Sequence, residues 1–176
     1  MAIEKFEGEY AFLSNFYPSP FTVDGITFPT VENWFQAWKC KSETEFKRIA
    51  TAKTPGEAKR LGRHGSLRPD WEKIKISVMY DGLKHKFSDP VLKQMLLDTG
   101  DEELIEGNTW HDNTWGDCSC PKCVDIKGKN ALGKILMDVR RELRHGYGAA
   151  TADQPKADAE QKESKEPKFK LTYNGR

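Results

Sequence analysis

Glu32, Gln36 and Lys39 are spaced by four and then three residues, so on a helix they form one polar stripe. Beside it, Val31, Trp34, Phe35 and Trp38 fall at i, i+3, i+4 and i+7, the pattern of a buried apolar face. Glu32 sits in the first turn, where the helix dipole favours a carboxylate. Read as chemistry, this is an acid, an amide and an amine set at the edge of a core. Read as structure alone, it is a solvated helix face with a dipole-matching glutamate. A second carboxylate, Asp112, lies in the polar and aromatic stretch from Asn108 to Asp117, which follows a predicted strand. Two carboxylates are the minimum set for one group to stabilise a cationic sugar while another handles the proton or the water. Linear spacing alone does not bring Glu32 and Asp112 together.

Three further segments carry binding chemistry. In Gly8–Pro18, the pair Ser14-Asn15 stands among Tyr10, Phe12, Phe16 and Tyr17. Aromatic faces beside amide and hydroxyl groups suit a flat heterocycle, although aromatics also simply fill core corners. Lys53–Lys75 holds seven Lys/Arg against three Asp/Glu, the strongest local charge excess in the chain. Arg63 falls there, at an expected helix C-terminus, and its planar fork of donors matches a phosphate. Lys127–Gly133 is a Gly-rich entry to a helix, a natural anion site, and Gly133 leaves room for a close approach.

Cys118, Cys120 and Cys123 place three thiols in six residues. Zinc takes four ligands, and His111 and Cys40 are the possible fourth donors. The alternatives are a structural zinc or free thiols; a nucleophilic thiol is not expected, because no positioned histidine is evident.

The elements that must hold these groups follow from period and caps. Phe21–Val23 and Ile26–Phe28 flank Asp24-Gly25 as a β-hairpin. Thr30 caps a helix beginning at Val31. Helices are expected over Glu43–Thr51 and from Thr54-Pro55, the latter ended or bent at Gly62. Others run from an Asp70 cap to Phe87, from Ser88-Asp89-Pro90 to Leu97, and from Asn130 onward, burying Leu132, Ile135, Leu136, Val139 and Leu143. Glu103–Glu106 reads as a strand.

The whole chain has 176 residues, 28 Lys+Arg and 27 Asp+Glu. That length suits one domain with a real core. Residues 149–176 lack aliphatic side chains larger than Ala until Leu171 and read as a disordered tail, with Phe169, Leu171 and Tyr173 as a late apolar cluster that could dock. The tail holds 6 Lys/Arg and 5 Asp/Glu, which leaves 22 of each sign in residues 1–148. A neutral domain does not hold long stretches of nucleic acid by charge. There is no membrane-length apolar run and no signal-peptide layout, so a cytoplasmic location is the expectation.

Six segments taken together resemble the NADAR family, the YbiA-like N-glycosidases: Phe12–Phe16, Phe28–Lys39, Ala58–Arg63, Asp70–Glu72, Asp112–Gly116 and Gly128–Arg140, in family order. The resemblance implies a compact, mostly helical α+β domain over residues 1–148 with a small β-sheet or hairpin. It implies an enzyme that cleaves the N-glycosidic bond of a ribosylated base. Substrates of this kind include phosphoribosylamino-pyrimidine intermediates of riboflavin synthesis, or ADP-ribosylated guanine, which in DNA would be contacted only locally. The family's catalytic positions fall on Glu32, Trp71 and Asp112. Its ligand-contacting positions fall on Ser14, Asn15, Phe16, Lys39, Arg63, Trp115, Gly116 and Asn130. No cofactor or catalytic metal is implied, so any zinc at Cys118, Cys120 and Cys123 would be structural. Many relatives have a Gly-rich loop at that place. The alternatives from other classes are a non-catalytic ADP-ribose-binding module and a zinc-stapled interaction module.

Overall fold

The hairpin and the capped helices form where local chemistry puts them in the computed structural model, which describes residues 1–146 and 172–175. Strands β2 (Phe21–Val23) and β3 (Ile26–Phe28) pair antiparallel, with Phe21 opposite Phe28. Asp24 and Gly25 both take positive φ, as the tight turn between them requires. Helix α1 spans Val31–Trp38, and the Thr30 hydroxyl accepts from the Asn33 amide. Helices α2 (Glu43–Ala50) and α3 (Pro55–His64) start at Ser42 and Thr54 caps of the same kind. Helix α4 covers Trp71–Lys86, α5 Pro90–Asp98 and α6 Ala131–His145.

Helix α1 is the hub. It packs on α2, α3 and α4, and α4 in turn packs on α6. Phe28, Trp34, Phe46, Val78, Leu83, Leu132 and Leu136 belong to one continuous core. The remaining strands are two residues each. β1 (Ala2–Ile3) pairs parallel with β4 (Glu103–Leu104), and β5 (Gly107–Asn108) pairs parallel with β6 (Asp117–Cys118). A 3-10 helix covers Gly8–Leu13. This is the mostly helical α+β arrangement with small sheets that the sequence implied.

Several local expectations change. Gly62 does not end α3, which continues to His64. Asp70 precedes α4 without capping it, because its carboxylate is held by Arg68, Nε to Oδ1 at 2.6 Å. The strand expected over 103–106 stops at Leu104. The leading helical residue of α6 is Ala131, with Asn130 in the left-handed region before it. Most of the expected tail lies outside the described residues. Within 172–175, Tyr173 sets its ring edge-on to Trp38 with centroids 5.1 Å apart, and its hydroxyl donates to Asp81.

Candidate active site

Helix α1 is buried nearly all round, and this decides what its polar stripe is. Glu32 is 7% exposed and Gln36 6%, so the stripe is interior and not a solvated face. Helix α3 covers it. Gln36 Nε2 donates to Glu32 Oε1 at 2.8 Å, which fixes the carboxylate. The Glu32 amide donates to the Asn15 carbonyl at 3.1 Å, which ties the start of α1 to the Ser14-Asn15 turn. Burial raises the Glu32 pKa; the Gln36 hydrogen bond and the charges of Lys59 and Lys39 oppose the rise, and Asp112 adds to it. Glu32 and Asp112 are therefore close enough for their charges to act on one another.

The same electrostatics reveal a third carboxylate. The Glu106 acid is pushed up to about 7, by burial first and then by Asp112 and Glu32, with Lys59 opposing. Glu106 follows β4, and its amide donates to Asn130 Oδ1 at 3.1 Å. Asn130 Nδ2 donates to the Leu104 carbonyl at 2.8 Å. The Asn130 side chain thus holds the segment that carries Glu106. The close approach expected at Gly133 is made by the same segment, since a Cβ there would meet the Leu104 carbonyl.

Opposite the acids stands a basic group. Burial lowers the Lys39 pKa; Glu32 and Cys40 oppose this, while Arg63 and Lys59 push it further down. Lys39, Lys59 and Arg63 therefore form one cationic cluster. Lys59 also sits over the Phe16 ring, 5.6 Å from its centroid. Phe16 is 42% exposed, an open aromatic face at the edge of the site. Trp71 differs: it is 6% exposed and packs edge-on to Phe35, with centroids 4.9 Å apart. Trp115 packs on the same Phe35 at 5.2 Å. Trp71 is thus a wall of the core behind the site, and Phe16 offers the freer stacking surface.

Some expected binding groups already have partners. Asp112 Oδ1 accepts from the Thr114 and Trp115 amides at 3.0 and 2.8 Å. The Ser14 hydroxyl accepts from the Phe16 amide. The amides of Lys129, Asn130, Ala131 and Leu132 donate to the carbonyls of Asn113, Gly116, Thr114 and Trp115. The entry to α6 thus spends its donors on the Asp112–Gly116 loop, and the phosphate expectation passes to Lys39, Lys59 and Arg63. Asn15 retains capacity: it is buried, and its Oδ1 has no protein partner. Sequence reasoning missed Glu106, Lys59 as a site member, and Lys86. Lys86 is 1% exposed, is pushed down to about 7 by burial, and donates to the Ser14 carbonyl at 2.8 Å. It props the Ser14-Asn15 turn from the core side. Two surface clefts, of about 970 and 700 Å³, lie elsewhere and contain neither Glu32 nor Asp112.

Gly62 is what lets α3 lie on this stripe. A Cβ there would stand 2.2 Å from Gln36 Oε1 and 3.0 Å from its Cβ. Gly62→Ala should gain ~1 kcal/mol of helix propensity but lose about 1–3 kcal/mol to overpacking. We expect net destabilisation in urea unfolding together with reduced turnover, because Gln36 must move and it holds Glu32. A stabilised variant with full activity would contradict this role.

Carboxylates within one another's field, with lysine cations beside them, are the side-chain types with which a hydrolase can stabilise a glycosyl cation. The NADAR domain family matches residues 3–144, and the chain belongs to it. It is 40% identical over 138 residues to the N-glycosidase YbiA of Shigella flexneri, covering 77% of this chain and 82% of that protein. It is 38% identical to the N-glycosidase Npun_R5314 of Nostoc punctiforme over 142 residues, 77% and 87% of the two chains. It is also 38% identical to the riboflavin biosynthesis protein VVA0006 of Vibrio vulnificus, covering 77% of this chain and 36% of that one. The NMR structure of Escherichia coli YbiA is similar to this fold with a TM-score of 0.70 at 34% identity, covering 86% and 88% of the chains.

Proposed function

We propose that the protein is an N-glycosidase that hydrolyses the bond between ribose C1′ and the nitrogen of a phosphoribosyl or ADP-ribosyl base. The N-glycosidase activity follows its family and its relatives. The substrate class is supported by the mutual electrostatics of the group: Glu32 feels Lys59, Lys39 and Asp112, Glu106 feels Asp112, Glu32 and Lys59, and Arg63 acts on Lys39. The C1′–N bond breaks with its electron pair going to nitrogen, and positive charge spreads over C1′ and the ring oxygen. Glu32, oriented by Gln36 in a dry setting, stabilises that charge. Its ionised form is disfavoured by burial in the free protein, so its attraction for a nearby cation is largest as the cation develops. Glu106 holds a proton near neutral pH and donates it to the departing nitrogen. Water adds to C1′, and its proton passes to a carboxylate of the cluster. Asp112 contacts ribose hydroxyls. Phe16 and Asn15 contact the base, with Trp71 and Trp115 as backing. The cationic cluster holds phosphate far from C1′ and supplies positioning energy.

The substrate is a small ribosyl-phosphate compound; a guanine carrying ADP-ribose in DNA would have to be unstacked to enter. Among the described residues, no helix is long and apolar enough to cross a membrane. Incubation with a phosphoribosylamino-pyrimidine and with an ADP-ribosylated guanine nucleotide should release free base from at least one. Binding without release from either would instead identify an ADP-ribose reader. Arg63→Ala should raise KM about tenfold or more for a phosphorylated substrate and leave its unphosphorylated counterpart little changed. Equal losses for both would remove Arg63 from the phosphate site.

A further inference from the structure

His111 Nδ1 lies 3.2 Å from Cys120 Sγ and 3.2 Å from Cys123 Sγ. The His111 amide points at Cys118 Sγ, 3.3 Å away. One ligand atom from each of His111, Cys118, Cys120 and Cys123 falls within 4.8 Å of all the others. In a tetrahedral zinc site with bonds of about 2.0–2.3 Å, ligand atoms stand roughly 3.5–3.8 Å apart. The three thiols are buried together as a cluster separate from the main core. Cys40 takes no part, since it packs between α1 and Gly65.

We infer that His111, Cys118, Cys120 and Cys123 form a structural zinc site that fastens the Asp112 loop. The residue types are those zinc selects, three thiolates and one imidazole. Four protein ligands fill a tetrahedron and leave no open position for water, so the site is structural. The local backbone is arranged for it. His111 has φ of +67°, a left-handed conformation that few non-glycine residues adopt, and this conformation accompanies an imidazole set among the thiols. The Cys123 amide donates to the Cys120 carbonyl at 2.8 Å, closing a tight turn between two ligands. The His111 amide supplies the N–H···S contact that a metal-bound thiolate accepts.

The site joins what the reaction needs to keep in place. Cys118 belongs to β6, which pairs with β5 immediately after Glu106. His111 is next to Asp112, and the loop between the two sets of ligands carries Trp115. Loading the site therefore closes the segment from 107 to 123 into one rigid unit. Binding requires the thiols to lose their protons, and metal affinity falls in acid. The main rival is a thiol–imidazole pair acting as a nucleophile, which leaves at least one thiol free to react.

The test uses the full chain purified without added chelator. Elemental analysis should find about one zinc per chain. Replacement by Co²⁺ should give thiolate-to-cobalt charge-transfer bands and the strong visible bands of a tetrahedral site. His111→Ala and Cys120→Ser should lose the metal and these bands, while Cys40→Ser retains both. With zinc bound, the three clustered thiols should resist a thiol reagent until a chelator is added. A chain that takes up neither Zn²⁺ nor Co²⁺, a disulfide among the three cysteines, or metal retained in both variants would overturn the site. Should Cys120→Ser fail to fold, the cobalt spectrum of the unaltered chain and His111→Ala decide the matter.

Discussion

Glu32→Gln abolishes most turnover, by about 10³-fold in kcat/KM, and leaves the protein folded. The size follows from the task. A preorganised group aimed at developing charge is worth roughly 10²–10³ when one contact is removed, and the full negative charge facing an oxocarbenium ion belongs at the upper end. Gln has the shape of Glu, and its amide oxygen can still accept from Gln36 Nε2. Stability should move the other way. Burial raises the Glu32 pKa, so ionising it costs the native state more than the unfolded chain, and stability is lost as pH rises through that raised value. A neutral amide does not ionise. Glu32→Gln should therefore melt at or above the temperature of the unaltered chain at pH 8, with a flatter dependence on pH. Near-normal turnover with unchanged melting would remove Glu32 from the mechanism.

Glu106→Gln is the second large effect, and its signature is a pH profile. Burial, with Asp112 and Glu32, pushes the Glu106 acid up to about 7, so the proton assigned to the leaving nitrogen should be present below neutrality and lost above it. Activity of the unaltered protein should fall on the alkaline side with a midpoint near 7. The charges of Asp112 and Glu32 contribute to that value, so the midpoint should move when either is replaced. The variant should lose about 10²-fold in kcat and lose the alkaline limb with it. The deficit should shrink for a substrate whose base leaves without protonation. The same shift predicts that native stability declines between the ordinary glutamate value and about 7, by at most about 3–4 kcal/mol, and that Glu106→Gln flattens that slope. An unchanged alkaline limb would move the proton to another group.

Helix α1 was legible because its signals are local. Thr30 reads as a cap, and Val31, Trp34, Phe35 and Trp38 declare a buried face. That Glu32 and Gln36 are also buried was not legible, because it depends on α3 crossing them at Gly62, a contact 26 residues away in sequence. Lys86 shows the same limit. It lies at the end of α4 beside Lys84 and His85, yet its ammonium donates to the carbonyl of Ser14, 72 residues earlier. Glu106 read as the end of a strand. What sets it apart is its burial and then the charges of Asp112 and Glu32 around it, which no spacing encodes. Asn130 was expected among the ligand-contacting positions, and its side-chain amide is engaged by the Glu106 amide and the Leu104 carbonyl, a long-range pairing that no spacing encodes. His111 was only one of two donors until the left-handed backbone at that residue put its ring among the thiols.

The anchoring of the active residues divides them between two bodies. Glu32, Lys39, Lys59 and Arg63 ride on α1 and α3 or at their ends, whereas Glu106 and the Asp112 loop hang from the start of α6 through Asn130 and the 113–116 carbonyls. Helix α4 lies between, packed on both. The site is thus a seam. On the function proposed above, a ligand with phosphate on one side and its ribosyl nitrogen on the other would span that seam as a removable cross-link between the two halves of the domain. Substrate occupancy and the cohesion of the fold are two readings of one contact.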